Sequence, residues 1–187
     1  MRPLRADARD NRERILTAAE DVFGRSPNAS TDEVAKLAEV GIATVFRHFP
    51  TKVELLEAVL TQRLERLRDR ALELADSDDA GPAFFGFFSQ VVAESASKLA
   101  IAEALSASGT VAGDEAKAAG QGMREAFGAL LDRAQQAGAV RRDAAFPEVY
   151  ALLVGASRGA TATGLESDAR DRMLALLYDG LRAGAGS

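Results

Sequence analysis

His48 is the only histidine in a sequence with no cysteine, and those two counts restrict the available chemistry. Thiolate nucleophiles, thiolate metal sites and disulfides are excluded. One imidazole leaves no histidine-rich metal site and a thin basis for a nucleophile–base–acid triad. No Glu-x-x-His pair occurs, and no glycine-rich loop that could cradle phosphates precedes a helix. An Asp or Glu dyad stays open, but we expect no enzyme, no cofactor and no metal. The polar side chains offer a cluster of hydrogen-bond donors instead. Thr44, Arg47 and His48 lie on one short helical segment just before Pro50, and Lys52 follows two residues later.

These groups need elements to hold them. Ile42 to His48 reads as a short helix with Val45 and Phe49 inward and Thr44, Arg47 and His48 outward, stopped by Pro50. Ser30-Thr31-Asp32-Glu33 before it is a capping box. It opens a helix with Val34, Leu37 and Ala38 as its buried stripe, interrupted by Glu39-Val40-Gly41. Ahead of that, a helix from Ala8 to Phe23 turns Ile15, Ala19, Val22 and Phe23 to one side. Ser26-Pro27-Asn28 ends it. Thr51-Lys52-Val53-Glu54 is a second capping box that starts a long helix, with an apolar period running through Leu56, Leu64 and Leu67 to about Ala75. Two short helices are thus held between two long ones. A short capped helix, a three-residue turn and a second short helix with exposed polar groups is the arrangement that sets a recognition helix in a DNA major groove.

Within this arrangement, the residues from Val34 to Lys52 resemble, without a gap, the signature of the TetR family, in which a V-A-x-x-A-G-V turn leads into T-L-Y-x-H-F-x-x-K. Glu39 stands where the family usually has Gly, Gly41 where Ser often caps the next helix, and Phe46 where Tyr is usual. The resemblance implies a helix-turn-helix that binds double-stranded, pseudo-palindromic operator DNA. Thr31, Thr44, His48 and Lys52 would hold phosphates, with Lys52 in a helix first turn where free N–H groups also favour an anion. Ile42, Ala43 and Phe46 would face base edges. None of the three can make a bidentate hydrogen bond, so readout would lean on thymine methyls, on Arg47 and on DNA shape.

Helical periodicity continues past residue 75, with no strand pattern, so the fold class is all-α. The resemblance makes it TetR-like with about nine helices: a DNA-binding three-helix bundle over 1–50 and a ligand-sensing and dimerisation domain over 51–187. Asp76 to Gly81 reads as a loop, Pro82 opens a helix that continues with a break towards Leu105, and Ser106 to Gly113 reads as a loop. Gly120 and Gly122 leave the next stretch ambiguous, and a helix is clear from Met123 to the cap at Gly138. Two more run from Pro147 to about Thr163 and from Ser167 to about Arg182.

Phe84, Phe87, Phe88, Met123, Phe127 and Tyr150 supply apolar surface for a cavity between helices, with ordinary core as the plainer explanation. By resemblance such a cavity would take a small-molecule ligand. The last two helices would build a homodimer. Ala151, Gly155 and Gly159 recur at four-residue steps beside Val154, so a partner helix could approach closely, and Leu174, Leu177, Tyr178 and Leu181 form the apolar face of the last helix. Burial inside one subunit is the competing explanation for all of these. Ligand entry would shift the long helix from Thr51 to Ala75 and so the spacing of the two recognition helices, releasing the operator.

Net charge is −5, which opposes phosphate binding on average. Residues 1–52 carry nine Lys or Arg against eight Asp or Glu, and residues 53–187 carry fourteen against twenty, so the acid lies elsewhere. Arg2 and Arg5 suit a flexible arm, whereas Arg9, Arg12 and Arg14, interleaved with Asp7, Asp10 and Glu13, read as a solvated helix face. No apolar run of about 20 residues could span a bilayer, and with no secretory pattern at the N-terminus a cytoplasmic chain without membrane partners is expected. A helical protein–protein interaction module or a small-molecule-binding protein that no longer binds DNA is the alternative.

Overall fold

The computed structural model describes residues 4–26, 28–107 and 113–184. Among them are nine helices: α1 (Leu4–Arg25), α2 (Thr31–Leu37), α3 (Ile42–His48), α4 (Lys52–Ala75), α5 (Ala80–Ala93), α6 (Ser95–Ala107), α7 (Asp114–Gln136), α8 (Phe146–Ala162) and α9 (Ser167–Leu181). The all-α expectation holds, and α3 has the residue limits read from the sequence. No described helix is long and apolar enough to cross a membrane.

Several boundaries moved. α1 begins four residues before Ala8, because nothing from Leu4 to Asp7 breaks a helix. Arg5 therefore has helical backbone rather than belonging to an arm, and Arg2 lies outside the described residues. α5 begins at Ala80, so Gly81 and Pro82 sit in its first turn and the loop ends at Asp79. α7 runs unbroken through Gly120 and Gly122. A Cβ on Gly122 would stand 3.2 Å from the Arg68 Cδ, so close packing on α4 outweighs the intrinsic weakness of glycine in a helix. Of the loop expected over 106–113, Ser106 and Ala107 are helical and 108–112 lie outside the described residues.

The chain divides into two compact units that differ from a division at residue 50: residues 1–63 with 97–118, and residues 64–96 with 119–187. In the first, Ile15, Leu16, Ala19 and Phe23 of α1 meet Val34 and Ala35 of α2, Val45 of α3, Leu55, Leu56 and Val59 of α4 and Ile101 of α6 in one core. Leu37, expected in this core, is half exposed. Val34, Ala35 and Ala38 set the buried arc of α2, and Leu37 projects roughly 100° from its centre at 3.6 residues per turn.

The second unit is built on aromatic rings. Phe84, Phe87 and Phe88 of α5 and Phe127 of α7 are fully buried; Phe84 and Phe127 stack with centroids 5.7 Å apart, and Phe87 and Phe88 lie 5.8 and 6.4 Å from Phe127. At the α5–α6 break, the buried Ser95 hydroxyl donates to the Val92 carbonyl at 2.8 Å, closing the end of α5.

Two glycines of α5 should respond oppositely to alanine. A Cβ on Gly81 would lie 2.8 Å from the Ala139 Cβ, whereas one on exposed Gly86 meets nothing within 4 Å. Gly81→Ala should destabilise by about 1–3 kcal/mol through overpacking, and Gly86→Ala should stabilise by about 1 kcal/mol through helix propensity. Urea unfolding followed by circular dichroism measures both.

Candidate nucleic-acid interface

α2 and α3 have seven residues each, too short to persist alone in water. Their ends are therefore tied individually. At the start of α2 the Glu33 N–H donates to the Ser30 Oγ at 3.3 Å and the Ser30 N–H donates to the Glu33 carboxylate at 3.0 Å, the reciprocal pair expected from the sequence. The Ser30 backbone N–H and then its hydroxyl hold the Glu33 carboxyl below its ordinary value. The contribution of this cap is thus complete above the ordinary carboxylate range and fades as pH falls through the lowered value. At the start of α4 the Glu54 N–H donates to the Thr51 Oγ1 at 3.1 Å, and that hydroxyl donates to the Glu54 carboxylate at 3.1 Å.

Between the two short helices the chain reverses through a left-handed residue. Glu39 has φ of 52°, the one positive-φ non-glycine residue among those described. Its N–H donates to the Lys36 carbonyl at 3.2 Å and the Val40 N–H to the Ala35 carbonyl at 3.0 Å. These are the paired bonds of a Schellman ending, made with glutamate where glycine is usual. A side chain in this region costs about 1–2 kcal/mol. α3 then starts from Gly41, which provides no side-chain cap. The Arg14 guanidinium reaches the turn from α1. Its Nη2 donates to the Ala38 carbonyl and, at 2.8 Å, to the Glu39 carbonyl.

α3 buries Val45 and, just beyond its end, Phe49. Ala43, Phe46 and Arg47 are exposed, and Ile42, Thr44 and His48 are half-buried. Phe46 leaves 45% of its surface to solvent, a large ring on a face otherwise occupied by small and polar groups. Thr31, the first residue of α2, is half-buried, as is Lys52 at the start of α4. The Lys52 Nζ donates to the Ala29 carbonyl at 2.7 Å and stands 5.1 Å from the centre of the Phe23 ring, so its charge is held two residues from Thr31.

Neither Arg12 nor Arg14 is merely solvated, against the sequence expectation. Arg12 lies 5.2 Å from the centre of the Phe49 ring, and Arg14 binds the turn. Sequence spacing gives no hint of this, because residues 14 and 39 belong to different elements. Two acidic hollows flank the helices of this unit. One, of about 760 Å³, is lined by Asp10, Glu13, Asp21 and Glu39 around Arg14. The other, of about 320 Å³, sets Glu54, Glu57, Asp114 and Glu115 beside Arg12 and His48. The first hollow, where four carboxylates surround one guanidinium, repels phosphate, whereas the second also holds Arg12 and His48.

The remaining candidate residues fall in the second unit. Phe84, Phe87, Phe88 and Phe127 come together as described and Met123 is buried among the core residues, whereas half-buried Tyr150 stacks on Phe146 at 5.6 Å. On α8, Ala151, Val154, Gly155 and Gly159 are exposed with Leu152. On α9 burial inside the subunit claims Leu174, Tyr178 and Leu181. The Tyr178 hydroxyl donates to the Phe85 carbonyl at 3.1 Å and shares a 2.7 Å hydrogen bond with Ser89, and burial pushes its pKa up. Leu177 is half-buried, and Leu176, which the sequence reading passed over, is 78% exposed.

Comparison with known proteins places the chain in a family. Residues 15–59 match the family model described as bacterial regulatory proteins, tetR family, and residues 79–183 match the SbtR-like transcriptional regulator C-terminal domain. A TetR transcription regulatory protein from Mycobacterium vanbaalenii is 36% identical, with 96% of this chain and 99% of that one covered and a TM-score of 0.79. The regulator SCO0520 from Streptomyces coelicolor is 31% identical over 93% and 99% of the two chains, with a TM-score of 0.76. Among curated proteins, the HTH-type regulator TtgW of Pseudomonas putida is 38% identical over 82 residues, which is 43% of this chain and 58% of that relative. The regulator SAR0097 of Staphylococcus aureus is 33% identical over 69 residues, 36% of its own length. The chain thus spans between about a third and three fifths of these curated relatives.

Replacing Glu39 by Gly removes the Cβ that the left-handed turn must tolerate. Glu39→Gly should raise unfolding stability by about 1 kcal/mol, read as a shift of the urea midpoint; a fall in stability would show that the Glu39 side chain contributes more than its backbone costs.

Proposed function

Because this chain belongs to the TetR family of bacterial transcriptional regulators, we propose that it is a cytoplasmic repressor that binds pseudo-palindromic operator DNA as a homodimer and leaves it when a small apolar or amphipathic ligand enters the helical half. The family and its fold are those of transcriptional regulators rather than enzymes. The observation that carries the reading is the pair of seven-residue helices, α2 capped at Ser30 and α3 exposing Ala43, Phe46 and Arg47, followed by α4 capped at Thr51.

Thr31, Thr44, His48 and Lys52 hold phosphates in this reading. In this reading the bond from Lys52 to the Ala29 carbonyl holds its charge near the start of α2. Ile42, Ala43 and Phe46 face base edges and favour thymine methyls, and Arg47 supplies the polar contact. Two recognition helices in a two-fold dimer would meet half-sites about 34–36 Å apart or a multiple of that. The open side of α8 at Ala151, Val154, Gly155 and Gly159, together with Leu176 and Leu177 of α9, is the proposed dimer surface. Gly155 and Gly159 have no neighbour within 4 Å of a built Cβ, so a second backbone can come close there. The ligand would lie against the Phe84, Phe87, Phe88, Met123, Phe127 and Tyr150 region and act through a shift of α4. By linkage the operator must weaken ligand binding by the same factor.

Selection from random duplex DNA at several salt concentrations should enrich a palindromic, T-rich site whose affinity falls with rising salt; no enriched site would overturn the DNA-binding role. Arg47→Ala should relax sequence preference, whereas Lys52→Ala should weaken all sequences alike and reduce the salt slope by about one. In the same assay Leu176→Glu should give folded monomers by sedimentation and weaker operator binding. An unchanged dimer would place the interface elsewhere.

A further inference from the structure

We infer that Arg14 is a positioning residue for operator recognition, holding the turn between α2 and α3 in the one geometry that presents α3; the inference rests on the DNA-binding role proposed above. Two devices that would set this turn locally are missing. The left-handed position is Glu39 rather than glycine, and α3 starts at Gly41 without a side-chain cap. The carbonyls at a helix C-terminus have no intrahelical donor and carry the negative end of the dipole. The Arg14 Nη2 donates to one of them, at Ala38, and to the adjoining turn carbonyl of Glu39, across 24 and 25 residues of sequence. Its backbone is anchored by the next two residues, Ile15 and Leu16, which are 0% and 1% exposed in the core.

The charge of Arg14 serves the turn rather than a phosphate. Asp10, Glu13, Asp21 and Glu39 line the same hollow, and a polyanion would not enter it. A guanidinium stays charged and planar, and its terminal nitrogens reach further than a lysine ammonium, so neither charge alone nor a shorter cation reproduces the clasp. Arg14 thus replaces, through tertiary structure, what glycine and a serine cap would supply locally.

Operator affinity of the full-length dimer for its selected site tests this with Arg14→Ala, Arg14→Lys, Glu39→Gly and the Arg14→Ala/Glu39→Gly double variant. Arg14→Ala should weaken binding about tenfold with an unchanged salt slope, and Arg14→Lys should recover only part of it. In the Glu39→Gly background, where the turn is intrinsically favoured, Arg14→Ala should cost less than about threefold. In the DNA-free protein, amide exchange over residues 38–41 should speed about tenfold in Arg14→Ala while that of α4 stays unchanged. Full recovery by lysine would show that charge alone matters, a salt slope smaller by about one would show direct phosphate contact, and equal losses in both backgrounds would show no link to the turn. Each of these overturns the inference, as does unchanged affinity or exchange. Should Arg14→Ala fail to fold, Arg14→Lys carries the same comparisons. If the wild type selects no DNA site, the DNA-binding role fails, and exchange over 38–41 still decides whether Arg14 holds the turn.

Discussion

Seven residues make fewer than two helical turns, and nucleating a helix of that length costs more than its few hydrogen bonds return. Everything in the first unit follows from the need to hold two such helices in place. Val34, Ala35 and Val45 can be buried only because Ile15, Ala19 and Phe23 on one side and Leu55, Leu56 and Val59 on the other provide the walls. The long helices α1 and α4 are the scaffold, and the short ones are the parts presented. α2 starts from a capping box at Ser30, α4 from a hydroxyl cap at Thr51, and the strained turn before the uncapped α3 is held by a guanidinium from α1.

The same economy explains how an acidic chain can offer a surface to DNA. Some of its carboxylates line two hollows of the first unit, while several cations are committed to fixed places. Arg14 binds two turn carbonyls, Arg12 lies over Phe49, and Lys52 is tied to the Ala29 carbonyl over the Phe23 ring. Immobilised charge loses less side-chain entropy on binding than a free lysine would. Lys52 in particular adds positive charge near the starts of α2 and α4, at the positive ends of their dipoles. Net charge therefore says little about this surface; position says most of it.

In the second unit one set of apolar residues had to be divided between inside and outside. Phe84, Phe87, Phe88 and Phe127 pack ring against ring, and Tyr178 joins them, 5.6 Å from Phe88, while its hydroxyl finds Ser89 and the Phe85 carbonyl. That inward commitment of α9 takes Leu174 and Leu181 with it and turns Leu176 outward. α8 does the reverse on one side, leaving Ala151, Gly155 and Gly159 bare.

What the amino-acid sequence determined by itself was local. Capping boxes, the proline stop at Pro50 and the Gly138 ending act within four residues, so α2, α3 and the start of α4 were legible almost to the residue, and the spacing of Thr44, Arg47 and His48 marked the outward side of α3. Tertiary structure decided the rest, because the deciding contacts join residues far apart in the chain. Gly122 within α7 and Gly81 within α5 lie so near Arg68 and Ala139 that an added Cβ would stand 3.2 and 2.8 Å from them, closeness that sequence spacing does not show. The helical period along α9 showed that Leu174, Leu177, Tyr178 and Leu181 share a face, but not that its own subunit would cover most of it. Arg14 is the sharpest case: along the chain it is one charge among several on a helix, and only folding brings it to the carbonyls of a turn that its own sequence leaves without a glycine.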